Sequence, residues 1–400
     1  MLARSAASSL AALGPETQVR VCGRVVAVAA DSFTLQDDTG CLTVASRELQ
    51  LLGAIVQVSG VWREGQVEAE SIELENRGSE RFTRADSDWS YLSGKRLANL
   101  RKRHAALQAA RAFFDAHGLL EIETPAIVPC PGLDVHLDAI EVLGMGGPPR
   151  WLHTSPEYQM KRALATTLPG VYQIGKAFRR GERGKLHEPE FTMLEWYRTF
   201  EDDERIQRDT EELVAHVAKA VTGSTKLPGI SKPVDVAPPW ERLSVEAALQ
   251  RYAGLSLESV VNDEEKFYRV LVEKIEPELG RGRPTFLTHY PARFASLARL
   301  APNDPRFAER FEAYVDGVEL CNGFSELIDP VEQRKRLEQD QETREKLGWT
   351  VYPIDAKFLA ALEDGVPPSG GNALGFDRLV MAIVGASQID EVLAFPVSRV

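Results

Sequence analysis

The sequence predicts an α+β protein in two parts, a small five-stranded β-barrel over residues 17–78 and a larger domain over residues 95–400 in which strands and helices alternate. Three observations carry that expectation. Apolar residues alternate with polar ones through QVRVCGRVVAVAA, SFTLQDDTG, CLTVASRE, AIVQVSGVW and QVEAESIELE, with turn residues between the runs. The stretch NRGSERFTRADSDWSYLSG is polar and has no apolar period, as a linker over residues 79–94 would. The period then becomes that of a helix in RLANLRKRHAALQAARAFFDAHG, where Leu100, Leu107, Ala110, Phe113 and Phe114 share a face and Gly118 stops the run.

At 400 residues, with 44% hydrophobic and 26% charged residues, the chain has ample material for a core and the composition of an ordinary globular protein. Its net charge is -12, spread along the chain, whereas a general nucleic-acid binder normally carries a basic excess. Residues 1–80 hold 6 Lys or Arg against 11 Asp or Glu, and Phe33 and Trp62 are their only aromatics. Such a barrel lacks the basic, aromatic face that grips RNA, so tRNA is not an expected partner. Cys22, Cys41, Cys130 and Cys321 show no CxxC or Cys/His spacing, which predicts reduced thiols instead of a disulfide framework or zinc site. The opening MLARSAASSLAAL has one Arg and no acid, as a targeting peptide would, but its apolar run is short and interrupted by serines, so residues 1–16 read more readily as a flexible extension. No stretch approaches the roughly 18 apolar residues of a membrane span, so no membrane partner and a cytoplasmic protein are expected.

Three segments of the larger domain carry chemistry. In FRRGERGKLHEPEFTMLEWYRTF, strand alternation puts Phe191, Met193, Glu195 and Tyr197 on one face, an unusual mixture for plain core. In FEAYVDGVELCNGFSELIDP, Asp316-Gly317 signals a hairpin, with Glu319 at the start of the return strand and Glu326 seven residues on. Asp329-Pro330 then looks like a capped helix start. Two carboxylates near a strand end suit Mg²⁺, which takes one or two of them together with substrate phosphates. In PPSGGNALGFDRLVMAIVGA, glycines precede an apolar helix whose first turn carries Arg378, where a cation opposes the helix dipole and so suggests an anionic partner. Taken singly, each also fits a plain reading: a solvated hairpin, two surface glutamates, a glycine-rich loop.

Together and in this order the segments resemble motifs 2 and 3 and the intervening metal-binding strand of class II aminoacyl-tRNA synthetases, and LEIETP resembles the end of motif 1. The likeness runs from about residue 95 to 400. HTSPEYQMKR, HEPEFTMLEWYR and ELCNGFSEL are similar to the lysyl branch, and ALGFDRLVM, with Ala373 where tRNA-charging enzymes usually carry Gly, is similar to the elongation factor P–(R)-β-lysine ligase family. The barrel resembles the OB-fold that precedes lysyl and aspartyl cores.

The resemblance implies an antiparallel sheet flanked by helices, a homodimer, and an AMP-forming ligase that uses ATP and Mg²⁺. It implies that Arg179 and Arg378 bracket the phosphates as the catalytic pair, with His187, Phe191, Glu319, Leu320 and Gly375 also at ATP. Ser155, Glu157, Glu195, Tyr197 and Glu326 would take lysine or (R)-β-lysine, Glu319 and Glu326 would hold the metal, and elongation factor P would be the acceptor. Two departures stand out. Motif 2 normally reads Arg-x-Glu, but here Gly181 holds the acid's place and Glu182 follows it, and Glu188 stands where Asn often follows the motif 2 His. The rival readings are a short lysyl-tRNA synthetase charging tRNA with α-lysine and a non-catalytic synthetase-like protein.

Overall fold

The computed structural model describes residues 3–48 and 50–400 and divides into two compact units, Met1–Leu97 and Ala98–Val400. In the first, β1 (Thr17–Val28), β2 (Ser32–Gln36), β3 (Cys41–Ala45), β4 (Ile55–Arg63) and β5 (Gln66–Asn76) close into a barrel in the order β1-β2-β3-β5-β4. Val19, Val21, Val25, Phe33, Leu35, Val44, Val56, Val58 and Val67 point inward, as the period-two pattern requires, and fill the interior.

Two expectations for this unit change. Residues 7–12 form a 3₁₀ turn instead of a flexible tail, because Leu10 is fully buried in the barrel core and Ser5 donates to the Arg20 carbonyl. The linker is likewise folded: it holds a 3₁₀ turn, Glu80–Thr83, and a short helix, Asp88–Leu92, with Phe82 edge-on to Trp89 at 4.8 Å between centroids.

The second unit is built on an eight-stranded sheet made of β6 (Leu120–Glu121), β7 (Gly170–Phe178), β8 (Glu190–Thr199), β9 (Glu241–Ser244), β10 (Thr285–Pro291), β11 (Phe307–Val315), β12 (Val318–Ser325) and β13 (Ser369–Gly375). Its order is β9-β10-β11-β12-β13-β8-β7-β6. The six central strands are antiparallel, and the two edges, β9 and β6, pair in parallel. The Asp316-Gly317 turn joins β11 to β12 with both residues at positive φ, 54° and 77°, the backbone of a type I′ hairpin.

One face of the sheet is covered by α1 (Lys95–Ala116), α3 (Asp203–Thr222) and α6 (Phe376–Val384), which share a core with Trp196, Phe286, Phe311 and Leu374. On α1 the inward face centres on Ala106, Ala110, Phe113 and Phe114, while Leu100 and Leu107 are half-buried. A second core joins α2 (Glu157–Leu164), α4 (Pro330–Lys346) and α5 (Ala356–Gly365) through Tyr158, Leu164, Leu337 and Phe358. Asp329 caps α4, accepting from the Val331 and Glu332 amides, with Pro330 in the first turn where its missing N–H costs nothing.

Candidate active site

Cross-strand pairing assembles the site. Phe191, Met193, Glu195 and Tyr197 alternate along β8, and directly opposed residues share a face. Glu195 pairs with Ala373, Ala373 with Asn322, and Asn322 with Glu312, a row across four strands. Tyr197 pairs with Gly371 and Gly371 with Phe324 in the next row.

Glu319 and Glu326 are an odd number of residues apart and would normally face opposite sides. A bulge at Leu320 corrects this, since Tyr314 opposes Glu319 while Ala313 opposes Cys321. The extra residue turns Glu319 to the face of Asn322, Phe324 and Glu326.

That face holds two compartments of one cleft. The larger, about 1090 Å³, is lined by Arg179, His187, Phe191, Glu319, Leu320, Gly375 and Arg378, the residues expected at ATP. The smaller, about 150 Å³, is lined by Ser155, Glu157, Glu195, Tyr197 and Glu326, those expected at the amino acid. Arg179, Met193, Asn322 and Ala373 line both and form the passage between them.

In the larger compartment Arg378 donates through Nη1 to the Glu319 carbonyl at 2.8 Å and through Nη2 to His187 Nε2 at 2.6 Å. Burial and then the Arg378 charge hold His187 below its usual pKa, so the ring is neutral and can accept. Asp377, beside Arg378 in the first turn of α6, accepts from the Thr192 amide at 2.7 Å and pairs with Arg103 at 2.5 Å. Its negative charge suits the helix N-terminus and ties α6 to β8 and α1. The Arg179 guanidinium lies over the Phe191 ring, 5.1 Å from its centroid.

The departures in motif 2 have local explanations. Glu182 lies 3.7 Å from Arg179, close enough to orient it, while Arg180 is drawn outward to Asp138 at 3.1 Å. Glu188 is buried and accepts from the Val397 amide at 3.1 Å, so it ties the motif 2 loop to the final turn of the chain.

In the smaller compartment Ser155 Oγ donates to both Glu195 oxygens at 3.0 and 3.1 Å and accepts from the Glu157 amide at 3.0 Å. Tyr197 donates to Glu195 Oε1 at 2.8 Å. Burial, reinforced by the Glu157 charge, pushes the Glu195 carboxyl up to about 8.

Two residues of the site escaped the sequence analysis. Lys161, one turn after Glu157 on α2, donates to Glu157 Oε1 at 2.6 Å and pairs with Glu326. Burial works to lower its pKa, and the two carboxylates more than offset this, so it is raised. Glu326 is pushed up to about 8, chiefly by burial.

Glu312 is the other. It lines the larger compartment beside Glu319 and is held by Arg310 at 2.7 Å and Tyr314 at 2.7 Å. Glu326 lies in the smaller compartment, engaged by Lys161, whereas Glu312 shares the larger compartment with Glu319 and faces it from the neighbouring strand. The alternation Arg310, Glu312, Tyr314 along one strand, and the i, i+4 spacing of Glu157 and Lys161, were the available signals.

Comparison with known proteins identifies the family. The family model described as tRNA synthetases class II (D, K and N) matches residues 83–399. Elongation factor P–(R)-β-lysine ligase of Yersinia enterocolitica is 41% identical over 317 residues, 76% of this chain and 96% of the relative. The ligase of Proteus mirabilis is 41% identical over 326 residues, 78% of this chain and 98% of the relative, and that of Klebsiella pneumoniae is 42% identical over 329 residues, 76% and 96%. About a quarter of this chain thus has no counterpart in those relatives, and the barrel lies outside the residues the family model matches. On a match that takes in nearly the whole of each relative, the chain belongs to the class II tRNA synthetase (D, K and N) family and, within it, to the elongation factor P–(R)-β-lysine ligases.

Proposed function

We propose that this chain activates a lysine isomer, (R)-β-lysine, with ATP to an aminoacyl adenylate and transfers it to a lysine of elongation factor P. The observation that carries this reading is the pairing of compartments: one that presents Arg179 and Arg378 and is large enough for a nucleotide, the other small and walled by Glu157, Glu195 and Glu326, joined through Arg179 and Asn322. Separated carboxylates suit a substrate with two separated ammoniums.

In the first step the substrate carboxylate, already ionised at neutral pH, attacks the α-phosphorus in line and pyrophosphate leaves. No general base is needed. Arg179 and Arg378 would take up charge on the phosphates, and catalysis would come from positioning and electrostatics. Ser155, Glu157, Glu195 and Tyr197 would hold the two ammoniums so that the carboxylate points toward the passage. In the second step a neutral lysine amine of the acceptor attacks the mixed anhydride, the C–O bond to AMP breaks, and the amine proton passes to solvent.

Glu319 and Glu312 in the larger compartment would hold Mg²⁺, which would supply positive charge to offset that of the phosphates. We place the reaction in the cytoplasm and in a homodimer, without tRNA. Among the described residues no helix is long and apolar enough to cross a membrane, and exposed Glu70, Glu73 and Glu75 make β5 of the barrel acidic.

The test is amino-acid-dependent ATP–pyrophosphate exchange with α-lysine and both β-lysine enantiomers, then transfer of the favoured one to elongation factor P or tRNA. Exchange with (R)-β-lysine and label on the protein supports the reading. Label on tRNA with α-lysine would replace it by a synthetase.

A further inference from the structure

Lys161 is used by neither step above, yet it sits inside the wall of the smaller compartment. Its side chain is 2% exposed, and its ammonium bridges Glu157 at 2.6 Å and Glu326, whose side chain is 1% exposed. The Phe324 ring lies 5.1 Å from the ammonium. Apart from Lys161, neither oxygen of Glu326 meets a hydrogen-bond donor among the described residues, although this carboxylate lines the compartment. Burying a lysine is costly unless carboxylates face it, and a lysine free to choose reaches for water.

We propose that Lys161 is a positioning residue of the diamine compartment: a tethered ammonium that fixes where Glu157 and Glu326 stand and how much of their charge is left for the substrate's own ammoniums. The proposal rests on the reading that this compartment takes a diamino acid.

Without Lys161, Glu157 from α2, Glu195 and Tyr197 from β8 and Glu326 beyond β12 would face one space of about 150 Å³, with Asp134 and Asp340 also lining it and Arg179 opposite. Carboxylates crowded in that way hold protons in place of cations. With Lys161 present, Glu326 is engaged and Glu157 keeps one oxygen free of it. Glu195 is already fixed by Ser155 and Tyr197. Two acceptors then remain for two ammoniums. An ion pair of purely structural use would not need both carboxylates to line a cavity.

The experiment compares Lys161→Ala and Lys161→Met with the unaltered full chain in ATP–pyrophosphate exchange. We expect the KM for the preferred lysine isomer to rise about tenfold or more and the KM for ATP to change less than about twofold, as loss of one partner of a buried pair at a single subsite requires. n-Propylammonium, which replaces the atoms removed in Lys161→Ala, should lower that variant's KM again and leave Lys161→Met unchanged.

If the alanine variant does not fold, the methionine variant, which keeps the packing volume, supplies the KM readouts for amino acid and ATP. An unchanged amino-acid KM, or equal rises in both KM values without rescue, overturns the proposal and leaves Lys161 as a core ion pair. Failure of the unaltered chain to exchange with any diamino acid would instead overturn the functional reading beneath it.

Discussion

Arg378 donates to His187 Nε2 at 2.6 Å while its other terminal nitrogen rests on the Glu319 carbonyl at 2.8 Å, so a neutral imidazole holds the motif 3 arginine in place. His187 sits below its usual pKa of 6.5 because of burial and the Arg378 charge. For a base depressed in this way, the stability it contributes is fully present above the unfolded value and lost as pH falls through the folded one. Protonation also turns the acceptor into a second cation beside Arg378. Exchange activity should therefore be flat above about pH 7 and fall below about pH 6, with the ATP KM rising. His187→Gln, which keeps an acceptor without a titrating ring, should cost up to about tenfold and flatten the acid limb. A limb that survives in this variant places the titration elsewhere.

Glu195 carries the opposite sign. Its carboxyl is pushed up to about 8 by burial and the Glu157 charge. An acid raised in the fold contributes stability that is present below its unfolded value and lost as pH rises through the folded one, so the ligand-free protein should weaken between about pH 4.5 and pH 8. A diamino acid supplies the missing cation. The rise in melting temperature caused by saturating lysine isomer should grow from about pH 6 to pH 8 and be smaller in Glu195→Gln, with Glu326 accounting for what remains. An increment independent of pH would show that Glu195 is already ionised in the empty protein.

Much of this was legible in the sequence because it rests on local rules. Asp316-Gly317 is a two-residue turn at positive φ, Asp329-Pro330 a cap, and Phe191 to Tyr197 a period-two strand face. What was not legible depends on contacts between distant segments. The Leu320 bulge, which puts Glu319 on the same face as Glu326, is invisible until β11 and β12 are paired. Glu312 and Lys161 join the site only through the fold, the second partner of Lys161 lying 165 positions on, at Glu326. The first 16 residues misled for the same reason, since Leu10 is apolar and isolated until the barrel interior receives it.

Two glycines on β13 should respond differently to the same methyl. A Cβ at Gly371 would stand 2.4 Å from both the Tyr197 ring and Glu326 Oε1, whereas one at Gly375 would meet nothing closer than Arg378 Cδ at 3.5 Å. Gly371→Ala must displace the substrate-binding side chains, at a cost of roughly 1–3 kcal/mol in stability and with loss of amino-acid activation. Gly375→Ala should melt within about 0.5 kcal/mol of the parent, since nothing in the protein opposes it. Its defect should be confined to the ATP KM. Thermal melts and exchange kinetics of the pair decide this, and a normal ATP KM in Gly375→Ala would remove Gly375 from the nucleotide site.

The shared compartment of Glu312 and Glu319 can be separated from Glu326 by metal titration. Glu319→Gln and Glu312→Gln should each raise the Mg²⁺ concentration for half-maximal exchange by about tenfold or more, because each removes one of two carboxylates. Glu326→Gln should raise the amino-acid KM and leave the Mg²⁺ requirement in place. Manganese, with similar ligand preferences, offers a second readout by paramagnetic broadening. A Glu326→Gln variant with an altered metal requirement would restore the pairing inferred from sequence.

Ala373 stands between Glu195 and Asn322 in one cross-strand row and lines both compartments, so its methyl projects where the passage begins. The substrate carbon that carries the amino group nearest the carboxylate must lie at that passage if the carboxylate is to reach the α-phosphorus. In a β-amino acid this carbon is one bond further from the carboxylate, which leaves room for the methyl. In an α-amino acid the ammonium would crowd it. Removing the methyl in Ala373→Gly should thus move the preference from (R)-β-lysine toward α-lysine by roughly 1–3 kcal/mol, about tenfold or more in the ratio of kcat/KM values, the usual worth of one such group in a pocket. The gain should appear in α-lysine activation, with ATP KM unchanged, because the ATP contacts proposed for Arg378 and His187 lie on other elements. If the ratio stays where it was, the isomer is selected by Glu157 and Glu195 alone and the wall plays no part.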